Sequence, residues 1–176
     1  MKEEQGLVQL YYGDGKGKTT AAFGLAFRCA GWGRRVVIAQ FLKSGRSGEV
    51  DAAARFEEIT VLRDKPTGKF TFQMNEAEKA ETAAGCLAMF RRAVALAEEQ
   101  QARLLVLDEV IDACHGFLPL DELTAFLDRR PAGLEVVLTG HDLPDPLARR
   151  ADYISHVVKE KHPYDRGVLA RKEIEF

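Results

Sequence analysis

Eight residues, Gly13-Asp14-Gly15-Lys16-Gly17-Lys18-Thr19-Thr20, bring together three glycines, two lysines and two threonines. Those types at that spacing suit a polyphosphate: glycines let the backbone turn its N–H groups inward as a nest, Lys18 reaches phosphate oxygens, and the Thr19 hydroxyl can ligate Mg2+. Ala21, Ala22, Phe23, Leu25, Ala26 and Phe27 then read as a helix whose N-terminus adds positive partial charge at the same point. The strict pattern G-x-x-x-x-G-K-[ST] asks for glycine at position 12, where this chain has Tyr12 and places Gly13 one residue later, so the match is a variant. A glycine-rich turn that binds nothing is the competing reading. An apolar strand, the loop and a helix in that order weigh against it.

A nucleotide site of this kind also needs an acid at the end of a second buried strand, to hold Mg2+ directly or through water. Leu104-Leu105-Val106-Leu107 followed by Asp108 and Glu109 supplies it. A carboxylate pair delivered by four apolar residues is poorly explained as solvated charge, because the strand that carries it should be central and buried. Together the two motifs imply an ATP or GTP site with Mg2+ (or Mn2+), and leave open what is done with the nucleotide.

The elements that must position these groups follow from the apolar runs. Leu7 to Tyr12, Arg35 to Phe41, Ile59 to Leu62, Leu104 to Leu107, Leu134 to Thr139 and Tyr153 to Val158 are rich in β-branched and long apolar residues, and several do not alternate. Continuous apolar strands separated by helices predict an α/β fold with a mainly parallel sheet of about six strands, helices covering both faces. Ala83, Leu87, Phe90, Val94 and Ala97 form a helical stripe on a segment that starts near Asn75 or Glu76 and ends near Gln101, with Glu81, Arg92, Glu98 and Glu99 opposite. Two Gly-, Lys- and Arg-rich segments, 42–49 and 63–73, follow apolar strands, in the crevice region where open parallel sheets bind ligands.

Composition narrows the function classes. At roughly 150 residues per domain, 176 residues fit one domain spanning 1–176, and 46 % hydrophobic with 30 % charged residues is ordinary globular usage. A net charge of −2 and a pI near 6.1 give no global positive field, so no nucleic-acid partner is expected. Cys29, Cys86 and Cys114 are in no metal-ligand spacing and read as small buried hydrophobes in a reducing compartment. With neither a secretory start nor 18 consecutive apolar residues, the expected location is the cytoplasm, unattached to a membrane.

The wider context resembles the ATP:corrinoid adenosyltransferases of the BtuR/CobO type. The likeness runs through 6–43 (GLVQLYYGDGKGKTTAAFGLAFRCAGWGRRVVIAQFLK), GKFTF at 68–72, LLVLDE at 104–109, LPLDEL at 118–123, RRPAGLEVVLTG at 129–140, and 151–176 with its KHPYDRG. The resemblance implies a RecA-like P-loop domain, a homodimer, and transfer of the 5′-deoxyadenosyl group of ATP to the cobalt of a reduced Co(I) corrinoid, releasing triphosphate. A flavin-type electron donor would be a further partner. Such chemistry fits the lack of an activated serine, cysteine or histidine, since Co(I) is itself the nucleophile.

By resemblance, residues 13–20, with Lys18 foremost, hold the triphosphate as leaving group, and Thr19, Asp108 and Glu109 hold the metal. Phe70, Thr71 and Phe72 match the family's aromatic loop, whose two rings cover the lower corrin face and exclude its axial ligand. Phe72 stands where some members carry Trp. On residue spacing alone, the favoured reading of Phe70 and Phe72 is as same-face residues of a short strand packing on the core. Arg28 matches a family arginine near the nucleotide, or is a solvated helix charge; Gly48-Glu49 matches a pair after the QFLK strand, or is a helix N-terminus. His141 stands where many members have Arg, and Lys161-His162-Pro163-Tyr164 is expected to border the nucleotide or the dimer contact. His115 and His156 read as structural or surface residues. Only five residues precede Gly6, so the corrinoid is expected to be covered more openly than in relatives with a longer extension, or by a partner subunit or segment 63–73. Two other readings share the phosphate loop: a small-molecule kinase, which would yield ADP and a phosphorylated acceptor, and a RecA-like ATPase, which would yield ADP and phosphate.

Overall fold

In the computed structural model the described residues are 5–43, 45, 47–63 and 73–174. Six strands, β1 (Val8–Tyr12), β2 (Val36–Gln40), β3 (Ile59–Arg63), β4 (Leu104–Asp108), β5 (Glu135–Gly140) and β6 (Tyr153–His156), form one sheet in the order β3-β2-β4-β5-β1-β6. Every pairing is parallel. All six strands therefore end on the same edge of the sheet. The helices are α1 (Lys18–Ala30), α2 (Gly48–Ala53), α3 (Glu76–Glu99), α4 (Val110–Ala113), α5 (Leu120–Arg129) and α6 (Asp145–Ala148), followed by a 3-10 turn at Pro163–Arg166.

Side-chain alternation along the strands sorts the core into two layers. Val36, Ile38, Leu104, Val106 and Val137 pack with Ala22, Phe23 and Ala26 of α1 and with Ala53 of α2. Val37, Ala39, Leu105, Leu107, Val136 and Leu138 face the other way, against Phe90 and Ala93 of α3 and Phe126 of α5. The strands that read as apolar throughout, β2 and β4, are buried at all five positions and lie inside the sheet. Each such Val, Leu or Ile contributes roughly 1.5–3 kcal/mol by leaving water. That burial holds the ends of β2, β4 and β5 in fixed register, with Gln40 beside Asp108 and Leu107 beside Leu138.

The helix expected from Asn75 or Glu76 begins there for a local reason. The Asn75 side chain accepts from Glu78 N and the Glu78 carboxylate accepts from Asn75 N, both at 2.9 Å, a reciprocal capping box. Its buried face is rotated from the expected stripe: Cys86, Met89, Phe90, Ala93, Leu96 and Ala97 are buried, whereas Ala83, Leu87 and Val94 are half-buried at its margin. Apolar residues occupy more than half of this helix's circumference, so periodicity sets the spacing and contact with the sheet selects the phase. Segment 42–49, read as loop, surrenders Gly48 and Glu49 to the first turn of α2. Cys86 is buried, while Cys29 and Cys114 are half-buried, and burial pushes the Cys114 thiol up to about 12. Among the described residues no helix is long and apolar enough to cross a membrane.

Candidate functional site

The phosphate loop leaves β1 at the edge where all strands end, and two features of the fold fix its path. Gly13 takes φ 116°, a left-handed conformation that favours glycine, and its N–H is shared between the carbonyls of Gly140 (3.2 Å) and His141 (3.0 Å). Gly15 N donates to Val157 O at 2.8 Å; a Cβ on Gly15 would stand 2.8 Å from the Val157 and Val158 backbones. Tyr12 replaces the motif's first glycine because the turn has not yet begun: it is still a strand residue, in register with Gly140 and His156, and its ring stacks on His156 at 4.4 Å.

Lys18 opens α1, and its Nζ donates to the loop carbonyls of Gly13 (2.5 Å) and Gly15 (3.0 Å). The next side chain, Thr19, reaches across to β4, where its hydroxyl donates to Asp108 Oδ1 at 3.0 Å. Although β5 lies between β1 and β4 in the sheet, it assists this meeting. Thr139 donates from β5 to Asp108 Oδ1 (2.8 Å) and accepts from Glu109 N (2.8 Å). Gln40 at the end of β2 donates to Asp108 Oδ2 at 3.0 Å. A fully buried carboxylate is thus held by donors from three other elements, which offsets its desolvation.

Glu109 follows with φ 60° and ψ 20°, a strained choice for a residue with a side chain. This sharp turn puts its N–H on Thr139 and its carboxylate into the pocket. Burial pushes the Glu109 carboxyl above the ordinary glutamate range, partly opposed by Lys43. Lys43 itself donates to Thr19 Oγ1 (2.8 Å) and Asp108 Oδ2 (3.0 Å), and its Nζ is 3.3 Å from Glu109 Oε1. Burial lowers its pKa, but the adjoining acids more than offset this and leave it above the usual lysine value.

A pocket of about 480 Å³ opens over this cluster. Gly15, Lys16, Gly17, Lys18, Thr19 and Thr20 form one wall, with Lys43, Glu49, Glu109, Thr139 and His141 around the rest. Glu49 reaches the loop by accepting from Thr20 (3.5 Å) and Ser47 (2.7 Å). The His141 ring is placed by Asp112, whose Oδ1 accepts from His141 N (3.2 Å) and lies 3.1 Å from Nδ1. For Mg2+ the donor set fits. Thr19 Oγ1, Asp108 and Glu109 offer only hard oxygens, and octahedral bonds of about 2.1 Å place neighbouring ligands roughly 3 Å apart, matching the 3.0 Å from Thr19 Oγ1 to Asp108 Oδ1. Among the described residues no three His, Cys, Asp or Glu converge on a metal site, so the remaining ligands would be phosphate oxygens and water.

A sequence profile of the family described as ATP:corrinoid adenosyltransferase BtuR/CobO/CobP matches residues 4–176. The chain belongs to that family. Among curated relatives, the corrinoid adenosyltransferase CobA of Salmonella typhimurium is 34 % identical, over 99 % of this chain and 88 % of its own length. The corrinoid adenosyltransferase of Pseudomonas aeruginosa is 33 % identical, over 99 % and 86 %. Like its relatives, this member is a transferase. A solved structure, a KaiC-like protein from Pyrococcus horikoshii OT3, covers 90 % of this chain and 75 % of its own with TM-score 0.56 at 17 % identity. The expected RecA-like P-loop fold is what the sheet and this likeness show.

In this adenosyltransferase the sequence-derived residues do not all converge on one place. Residues 15–20, Glu49, Glu109 and His141 line one pocket, with Asp108 beneath it. Gly13 and Asp14 belong to the loop but do not line the pocket; Asp14 Oδ1 accepts from Lys159 N (3.0 Å), which lowers its pKa. Arg28 is exposed in the last turn of α1, away from the pocket lining, where its charge acts on Tyr11. Phe70, Thr71 and Phe72 lie outside the described residues. Lys161 to Tyr164 are not among the lining residues; the C-terminal segment meets the phosphate loop earlier, through His156, Val157 and Lys159. His115 pairs with Asp142 at 3.3 Å on the surface. Sequence reasoning passed over Lys43, Thr139 and Gln40. Each is a polar residue at the end of an apolar strand, the same signal that marked Asp108.

Proposed function

We propose that the protein transfers the 5′-deoxyadenosyl group of ATP to the Co(I) centre of a reduced corrinoid, in adenosylcobalamin biosynthesis or salvage, with inorganic triphosphate as the other product. The observation that carries this reading is a phosphate loop joined through Thr19 to a buried acid, in a chain of the corrinoid adenosyltransferase family. The cobalt electron pair forms the Co–C5′ bond as the C5′–O5′ bond breaks, and the C5′–O5′ bonding pair leaves on the triphosphate oxygen. No proton need move at carbon, so the site requires no general base.

The protein's share is position and charge. The Gly15–Gly17 amides and the α1 N-terminus cradle the polyphosphate, and Lys16 and Lys18 bring positive charge to the leaving group. Thr19, Asp108 and Glu109 would hold Mg2+, which neutralises phosphate charge when bound. Glu49 and His141, which also line the pocket, orient the ribose end. Phe70 and Phe72 cover the lower corrin face, excluding water and an axial ligand. Homodimer formation, a flavin-type reductant and a cytoplasmic location complete the reading.

Anaerobic incubation with ATP, Mg2+ and cob(I)alamin tests it. A photolabile alkylcobalamin with equimolar triphosphate is expected; ADP as the sole nucleotide product, with an unchanged corrinoid spectrum, would replace this reading with a kinase or ATPase.

A further inference from the structure

The three side chains assigned to a divalent ion already share a cation. An ammonium group carries three N–H donors, and those of Lys43 are matched by three oxygens: Thr19 Oγ1 at 2.8 Å, Asp108 Oδ2 at 3.0 Å and Glu109 Oε1 at 3.3 Å. Thr19 comes from the phosphate loop, Asp108 and Glu109 from the end of β4, and Lys43 from the segment that follows β2, so the ammonium stitches three parts of the chain at one point. Asp108 is fully buried, and Lys43 is 26 % exposed at the pocket wall. The acids therefore have a protein-borne counter-charge, and that charge is on a flexible stem with solvent and the phosphate loop beside it.

A metal ion bonded at about 2.1 Å to Thr19, Asp108 and Glu109 would compete for the place that the ammonium shares among those three groups, and two cations held so close repel. We propose that Lys43 is a resident counter-cation of the metal cradle, displaced from Thr19, Asp108 and Glu109 toward the polyphosphate when a divalent ion enters. Before loading, Lys43 holds the carboxylates apart from each other's charge and keeps Thr19 aimed at β4. After loading, the ion satisfies the acids and the freed ammonium joins Lys16 and Lys18 on the side where leaving-group charge collects. Exchange of one cation for another thus couples metal entry to nucleotide charge without a new side chain being supplied. This deepens the proposed function, resting on its assignment of Thr19, Asp108 and Glu109 as metal-holding groups.

The test uses Mn2+ alone, followed by electron paramagnetic resonance on the full-length protein without nucleotide or corrinoid. If the two cations compete, Lys43→Met and Lys43→Gln bind Mn2+ at least tenfold more tightly than wild type, whereas Lys43→Arg, still cationic, stays within about threefold of it. Two neutral replacements guard against one failing to fold, with circular dichroism and Tm recorded for each. A purely structural ion pair would lower Tm on removal and leave Mn2+ affinity unchanged or weaker; that result overturns the proposal. So does Mn2+ that binds no form of the protein even with ATP present, which would remove the metal site as well. Because no corrinoid is involved, a failed adenosyl-transfer assay alongside tightened Mn2+ binding would sink the proposed reaction and leave the role of Lys43 standing.

Discussion

Strands β4 and β6 both end against the phosphate loop, and they support it by opposite means. Every residue of β4 is buried, and its last side chain, Asp108, gathers Thr19, Gln40, Thr139 and Lys43. Every residue of β6 is exposed at the sheet edge, yet Val157 just beyond it takes the Gly15 N–H, and the His156 ring backs the Tyr12 ring beside Gly13. One strand fixes the loop's chemistry through a desolvated charge. The other fixes the loop's path through backbone bonds, which tolerate water and almost any side chain. This phosphate loop thus has two anchors of different kinds, and only one of them is buried.

The sharpest way to break the β4 anchor is Asp108→Ala. Removing a buried acid leaves Lys43, Thr139 and Gln40 donors unmatched, and the expected loss is about 3 kcal/mol of stability, together with Mg2+-dependent nucleotide binding; urea denaturation and calorimetric titration read both. Lys18→Ala tests the loop's charge without touching either anchor. We expect ATP affinity to fall roughly 30- to 150-fold, the equivalent of about 2–3 kcal/mol for a charge-assisted contact, with a smaller fall in Tm from the lost bonds to the Gly13 and Gly15 carbonyls. Gly15→Ala tests the β6 anchor: its Cβ would meet backbone at 2.8 Å, and the strap must shift at a cost of about 1–3 kcal/mol. If denaturation shows no loss, β6 is not holding the loop.

The smallest effect concerns the far end of the strap, where Asp14 accepts from Lys159 N. That bond holds the Asp14 carboxyl below the ordinary aspartate range. A depressed folded-state pKa means that the stabilisation is full above the unfolded value of about 3.9 and lost as pH falls through the lower folded value. Hydrogen exchange at the Lys159 amide should therefore be protected near neutral pH and lose protection relative to neighbouring amides only in that acid window; Asp14→Asn should reduce the protection above that window and match wild type below it. Equal protection in wild type and Asp14→Asn would show that β6 holds the loop through Val157 alone.

Much of this molecule was readable before its shape was known. The residues at 13–20, the acid after four apolar positions and the six apolar runs imply their elements by local rules, since strand burial and phosphate chemistry each leave a mark within a few residues. The Asn75 capping box is equally local, because both partners lie within one helical turn. What the sequence left open involves distance along the chain. The phase of α3 was decided by the sheet beneath it, and Lys43 and Thr139 meet Asp108 from separations of 65 and 31 residues. The sequence determined that a polyphosphate cradle and an acid are present; the parallel sheet alone decided that β2, β4 and β5 end side by side, so that a lysine, a threonine and a glutamine converge on that acid. Side-chain types mark what a residue can do, but convergence from separate strands is set by strand order and register, which no local pattern contains.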